Sequence, residues 1–381
     1  VSANFTPSEL TVRPLTSDQH LAWIQSQTGS GSISFLQTPA WGQVKADWRH
    51  ESLGWFDGEQ LVSAALVLYR PIPRLKWSLA YIPEGPTFPT LAPGPAAHWV
   101  NPLTAYLKGK KVFTIKMGPP VIVRQWSASS IKDAIANSSA KLQDVVPQTS
   151  NDQATELVTQ LRALGWHQEV AEGDGFGDVQ PRFVFQLDLR DKSIDDLFNG
   201  MNQEWRRNIR KAEKSGVEVI EGTFDDLADF HAVYVETAQR DRFTPRPLRY
   251  FERMWEAMEA EDPARLRLFL AKKDGEVLAA TTLVTVGGHA WYSYGASTTA
   301  GRDFRPSNAV QWAMIQAAHA SNCHTYDLRG IGDSLDPNHH LFGLIRFKLG
   351  TGGHVSEYIG EFDLPVQPIL HRAIKLYLAR R

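Results

Sequence analysis

Two stretches of this sequence concentrate side chains that hold or offset negative charge. In Trp205-Arg206-Arg207-Asn208-Ile209-Arg210-Lys211-Ala212-Glu213-Lys214, five cations stand against the single carboxylate Glu213. Wound as a helix, Arg206 and Arg210 share one side, Arg207, Lys211 and Lys214 another, and Ile209 and Ala212 are left for a core. Such a face suits a phosphate or carboxylate, to which arginine offers forked donors; a solvated helix face is the plain alternative. The second stretch is Gly343-Leu344-Ile345-Arg346-Phe347-Lys348-Leu349-Gly350-Thr351-Gly352-Gly353-His354. Here the glycines would let a ligand approach the backbone while Lys348 meets a phosphate or a developing oxyanion. In the blander reading Phe347 is core and Lys348 lays its stem along the surface.

Two further basic groups are Arg240, Arg242, Arg246, Arg249 and Arg253, and, near the end, His371, Arg372, Lys375, Arg380 and Arg381. The net charge of −2 excludes a wholesale nucleic-acid coat, since phosphate neutralisation needs clustered cations, but it leaves room for local patches. Metal chemistry is poorly supported: His339-His340 has no second ligand cluster at useful spacing, and neither a His-Glu-x-x-His helix nor a Gly-Lys-Ser/Thr phosphate loop is present. No cofactor is expected. The single cysteine, Cys323, fits a reducing compartment, and no apolar run reaches the roughly 18 residues of a membrane span. No secretory signal is visible, so a cytoplasmic location is expected.

The elements that must position these residues form a weak internal repeat. Asp57-Gly58-Glu59-Gln60-Leu61-Val62 returns as Asp274-Gly275-Glu276-Val277-Leu278-Ala279, each copy between two apolar strands, as in a tight hairpin. A third strand follows each hairpin (Trp77 to Ile82; Trp291 to Tyr294), then a helical stretch, then a fourth strand (Val112 to Met117; Thr325 to Leu328). With 381 residues, this predicts two similar α/β domains with mixed sheets, packed side by side around a cleft. The expected boundary gives a first domain of residues 1–150 and a second of 151–360, with residues 361–381 packing on the first. Short helices are predicted over Ser17 to Gln27 and Pro39 to Trp48, one helix from Ser193 to Lys214, and a glycine-rich loop over Glu172 to Gly177. Phe224 to Gln239, Leu248 to Glu261, Asn308 to Ser321 and Ile369 to Leu378 also read as helices.

Four separated segments, in order, resemble the Fem family of peptidoglycan-bridge aminoacyltransferases: Phe35-Leu36-Gln37-Thr38-Pro39-Ala40-Trp41, the Arg206 to Val217 helix, Tyr292-Ser293-Tyr294-Gly295-Ala296-Ser297, and the Phe347-Lys348 turn. The resemblance spans about Ser34 to Phe362 and is closest to FemX-like members without a coiled-coil arm. It implies two acetyltransferase-like (GNAT-like) domains, in agreement with the repeat. It also implies transfer of an amino acid from aminoacyl-tRNA to a stem-peptide amine of a peptidoglycan precursor, either nucleotide-linked or lipid-linked. By motif position, Lys45 is similar to the family's ligand-phosphate lysine, with an arginine among Arg206, Arg207 and Arg210 as its partner. Tyr292 and Tyr294 fall where family tyrosines line the precursor site. Phe347 and Lys348 fit the pair at the acceptor and the aminoacyl end of tRNA. A monomer is expected, its basic terminal helix either making a peripheral contact at the inner face of the membrane or packing on the first domain.

One departure stands out. Many members carry an acid before the proline that ends the first domain's last strand, whereas this chain reads Ile115-Lys116-Met117-Gly118-Pro119. Asp303, Asp327 and Asp333 remain as other acids, and proton loss through the substrate's own groups is the preferred route. Two rivals remain. An acyl-coenzyme A N-acyltransferase would want a glycine-rich pyrophosphate loop, a pattern that Thr299 to Asn308 lacks. A non-enzymatic RNA-binding protein would use the same basic helices, with aromatic residues near Tyr292 stacking bases.

Overall fold

A computed structural model describes residues 9–27, 32–88, 95–168 and 180–378, and the expected loop over Glu172 to Gly177 lies outside them. Among the described residues the chain builds two mixed sheets. In order of neighbours, the first holds Thr11–Leu15, Arg49–Asp57, Gln60–Pro71, Ser78–Ile82, Val112–Met117, Phe362–Pro365 and His167–Gln168. The second holds Glu218–Gly222, Leu266–Lys273, Glu276–Val286, His289–Ser297, Thr325–Gly330, Phe183–Asp188, His354–Tyr358, Ile122–Ser127 and Thr149–Ser150.

The repeat is present in the topology. Each sheet has a run of antiparallel strands followed by one parallel pair, Ser78–Ile82 with Val112–Met117 and His289–Ser297 with Thr325–Gly330. A helix crosses over between the members of each pair, Ala96–Lys108 in the first and Pro306–Ala320 in the second, as a parallel connection requires. At the second hairpin Asp274 and Gly275 both adopt positive φ (51° and 85°), the twist-matching turn that the Asp-Gly step favours. Beyond the repeat, the sheets trade strands. Ile122–Ser127 joins the second sheet and Phe362–Pro365 returns to the first, so the halves are interlocked.

Alternation along the strands sorts the apolar residues into three layers. Leu53, Trp55, Val67 and Tyr69 face helices Ala96–Lys108 and Asp152–Ala163 on the outer side of the first sheet. Phe185, Leu187, Phe269 and Leu283 face Gln203–Lys214, Pro306–Ala320 and Phe342–Leu349 on the outer side of the second. Between the sheets, Leu66 and Leu68 share one core with Leu268, Leu270 and Val284, filled by helices Ser17–Ser26, Pro39–Val44, Leu227–Asp241 and Leu248–Glu261.

Three expectations change. The helix predicted over Ser193 to Lys214 is two, Ile194–Gly200 and Gln203–Lys214, because Asn202 breaks the run and caps the second by accepting from the Trp205 N–H at 2.8 Å. The helix from Pro39 stops at Val44. Before the terminal helix Pro368–Leu378 comes the returning strand Phe362–Pro365, and Phe113 O accepts from Val366 N and Gln367 N, both at 2.9 Å.

Candidate active site

Where the two halves meet, two cations lie side by side. Helix Pro39–Val44 starts on a proline and is capped from the other half, since Glu261 Oε2 accepts from Ala40 N at 2.8 Å. Its last turn delivers Lys45, whose Nζ lies 4.9 Å from the Trp41 ring centre and 5.5 Å from that of Tyr250. The Arg246 guanidinium lies 4.6 Å from the Tyr250 ring centre. Tyr250 and Tyr294 share a hydroxyl hydrogen bond of 2.8 Å beside the Arg246 side chain. Burial, and then the charge of Arg246, push the Lys45 pKa down to about 8. Neither cation has a carboxylate partner among the described residues. Two partly desolvated cations over aromatic walls, left unneutralised, make a site for a dianion.

The arginine beside Lys45 is therefore Arg246. The helix carrying Arg206, Arg207 and Arg210 packs on the opposite face of the second sheet. There Arg206 donates to Asn199 O (2.9 Å), Arg210 lies 5.2 Å from the Phe198 ring centre, and Arg207 is exposed. The basic group Arg240 to Arg253 is dispersed: Arg240 binds Ser297 O (2.6 Å), Arg249 pairs with Glu252 and Glu256, and Arg246 stands beside Lys45. Tyr292 and Tyr294 also separate. A register shift and the positive φ of Tyr294 (49°) break the alternation, so Tyr294 turns to the inter-sheet layer while Tyr292 packs on the outer core. Burial raises the Tyr292 pKa to about 12.

Phe347 and Lys348 lie on the last turns of helix Phe342–Leu349, beside the basic helix. Trp205 Nε1 donates to Phe347 O at 2.7 Å, and the two rings are 4.7 Å apart. Lys348 is 3% exposed and donates to Gly330 O at 2.6 Å and Arg329 O at 3.3 Å. Burial lowers its pKa to about 7, against the pull of Asp327. The following glycines serve close packing: a Cβ on Gly350 would strike the Trp205 ring, and one on Gly353 the carbonyl of Gln186.

Arg329, held from behind by Lys348, faces a cavity of about 700 Å³ between the sheets. Across it Arg329 pairs with Glu84 (2.8 Å), which accepts from Ser34 (2.5 Å). Asp327 lies on the same wall and accepts from Gln186 (3.0 Å) and the Arg329 N–H (2.5 Å), with His289 at 3.4 Å. Burial pushes the Asp327 pKa up, but these donors outweigh it and hold the carboxyl below its ordinary value. Of the acids named from sequence, Asp327 lines this cavity and Asp303 and Asp333 do not. The predicted site residues Lys45, Arg206, Arg207, Arg210, Tyr292, Tyr294, Phe347 and Lys348 are not in its wall either. Glu84, Arg329 and Arg246 carry no local signal by which the sequence could single them out; each depends on a partner from the other half.

A model of the FemAB family matches residues 15–271 and 264–378, both halves of the repeat. The chain belongs to the FemAB family. A curated relative, the lipid II:glycine glycyltransferase of Staphylococcus aureus (strain MRSA252), is 24% identical over 436 aligned positions that cover 95% of this chain and 94% of the relative. The crystal structure of FemX superposes with a TM-score of 0.77 at 22% identity, covering 95% of this chain and 99% of that one. A tandem GNAT protein from the clavulanic acid biosynthesis pathway follows with a TM-score of 0.51 at 12% identity, covering 94% and 99%. The likeness confirms the doubled α/β fold expected from the repeat and its acetyltransferase-like kind, which the resemblance implied. Among the described residues no helix exceeds 15 residues, so there is no long helical arm. No helix there is long and apolar enough to cross a membrane.

Proposed function

We propose that this protein transfers an amino acid from aminoacyl-tRNA to a stem-peptide amine of a peptidoglycan precursor. Membership of the FemAB family and the glycyltransferase relatives support the reaction class. The observation that carries the acceptor's chemistry is the unneutralised Lys45–Arg246 pair, which suits the diphosphate of a nucleotide-linked or lipid-linked precursor. The amine nitrogen attacks the ester carbonyl carbon, the bond to the ribose oxygen breaks, and the amine's proton ends on that oxygen. The ester is already activated, so positioning is the main requirement, and good geometry supplies roughly 7–11 kcal/mol of the barrier. Asp327 is a weak base because its donors hold it ionised, which supports proton transfer through the substrate's own groups. Lys348 acts as a positioning residue: it fixes the Arg329 turn, and Arg329 faces the inter-sheet cavity that takes the reacting ends. The exposed cations Arg207, Arg210, Lys211 and Lys214 lie on the helix whose Trp205 packs on Phe347, and they offer an RNA backbone contact with steep salt dependence.

Mass spectrometry of products from a mixed pool of charged tRNAs with both precursor forms tests the reading. A new amide on the stem peptide, formed only with charged tRNA, is expected. Acylation from acetyl-coenzyme A instead, or no amide product with any charged tRNA, would reject it.

A further inference from the structure

Three segments meet at the edge of the first sheet formed by the ends of its strands Gln60–Pro71, Ser78–Ile82 and Val112–Met117. The turn Ile72 to Trp77 closes through Ile72 N to Trp77 O (2.9 Å), and the next residue, Ser78, donates to Lys111 O (3.1 Å). Lys108 to Lys111 is the link into Val112–Met117, and the neighbouring Phe113 carries the start of the terminal helix on its carbonyl. The Phe113 and His371 rings are 6.4 Å apart, which seats the helix Pro368–Leu378 against this edge.

The composition of this edge is one-sided. Its three segments contribute Arg74, Lys76, Lys108, Lys110, Lys111, Arg372 and Lys375 and contain no Asp or Glu, in a chain whose net charge is −2. Lys110 reaches back to Glu51 at 3.6 Å, while Arg74, Lys76, Lys108, Lys111, Arg372 and Lys375 are exposed. Apolar side chains stand among them with no core to enter: Ile369 is 89% exposed, Leu376 56% and Leu75 49%. On the terminal helix Leu370, His371 and Ile374 turn inward, while Ile369, Ala373 and Leu376 form an outward stripe at positions i, i+4 and i+7, flanked by Arg372 and Lys375. A polar face would satisfy water, and an apolar face alone would suit a protein partner. Exposed aliphatic residues set among exposed cations fit a surface that is apolar within and anionic at its rim.

We propose that this edge of the first sheet, with the outer face of the terminal helix, is a docking surface for an anionic lipid bilayer. The contact is peripheral: Ile369, Leu376 and Leu75 enter the headgroup layer, and the cations take lipid phosphates. It deepens the reading above, because a lipid-linked acceptor is met at such a surface, but its test needs neither acceptor nor tRNA.

The full chain is sedimented with vesicles of phosphatidylcholine alone and with vesicles containing about 30% phosphatidylglycerol, at low and high salt. Binding to the anionic vesicles that weakens with salt is expected. Each exposed cation removed should lower partitioning about fivefold, so Arg372→Gln with Lys375→Gln should lower it about 25-fold. Ile369→Ser with Leu376→Ser should weaken binding while leaving the salt dependence in place. Neither pair touches the Lys45–Arg246 site, so turnover of a soluble nucleotide-linked precursor should stay at the wild-type level in both variants. That result separates a failure of docking from a failure of the proposed reaction. Equal binding to neutral and anionic vesicles, no vesicle binding by the wild type, or unchanged binding by the folded variants would overturn the proposal. So would a dimer in solution that the same substitutions dissolve.

Discussion

Replacing Arg246 by methionine tests the assignment that tertiary structure made against the one the motif suggested. A hydrogen bond to a charged group contributes about 1.5–3 kcal/mol, so losing the arginine's share of a diphosphate should weaken acceptor binding about 10- to 150-fold. Lys45→Met should do the same. A sharper signature lies in pH. Lys45 in the free protein titrates near 8, first because it is partly buried and then because Arg246 repels its charge. A bound diphosphate favours the charged lysine, so above about pH 8 binding must take up a proton and affinity should fall about tenfold per pH unit. The diphosphate keeps constant charge in that window. Lys45→Arg should abolish the fall, and Arg246→Met, by removing the repulsion, should move it to higher pH. Isothermal titration of a nucleotide-linked precursor from about pH 7 to about pH 9.5 measures both effects. Wild-type affinity that is flat across the window, or Arg246→Met binding like wild type while Arg207→Met binds weakly, would refute the reasoning.

Other consequences follow from packing and charge. Lys348→Met strips the donor from two buried carbonyls and should cost about 2 kcal/mol in denaturant unfolding, while lowering turnover much more than acceptor affinity. Below pH 7 Lys348 is protonated in both folded and unfolded chains, and its burial cost is fully present. From about 7 to the ordinary lysine range only the unfolded chain keeps the proton, so wild-type stability should rise with pH there, and that rise should flatten in the variant. Glu261→Ala removes the cap on Ala40 and takes from the buried Arg265 its carboxylate at 3.0 Å, leaving Asp262 at 3.9 Å and Thr285 O at 3.2 Å; unfolding free energy should drop by about 3 kcal/mol. Gly350→Ala pushes its methyl into the Trp205 ring and breaks the bond to Phe347 O, so a loss of about 1–3 kcal/mol should accompany a change in tryptophan fluorescence.

The sequence by itself determined the duplicated fold. Asp-Gly turns, period-two strands and the order of elements are local signals, and both halves obey them. The family resemblance proposed Lys45, Phe347 and Lys348 as site residues, because short motifs carry them. Several matters were decided only in three dimensions. Arg246 stands four residues before Tyr250 on an ordinary basic stretch, and it becomes the partner of Lys45 because helices Pro39–Val44 and Leu248–Glu261 pack together from opposite halves. Tyr292 and Tyr294 share a face in any ideal strand, yet a positive φ at Tyr294 sends them to different cores. The strand Ile122–Ser127 follows the first repeat unit but pairs within the second sheet. For Arg246 and for this strand the deciding contact joins residues far apart in the chain. Spacing along a sequence reports what neighbours can form together; which distant charge or strand meets them is settled by how the two layers close.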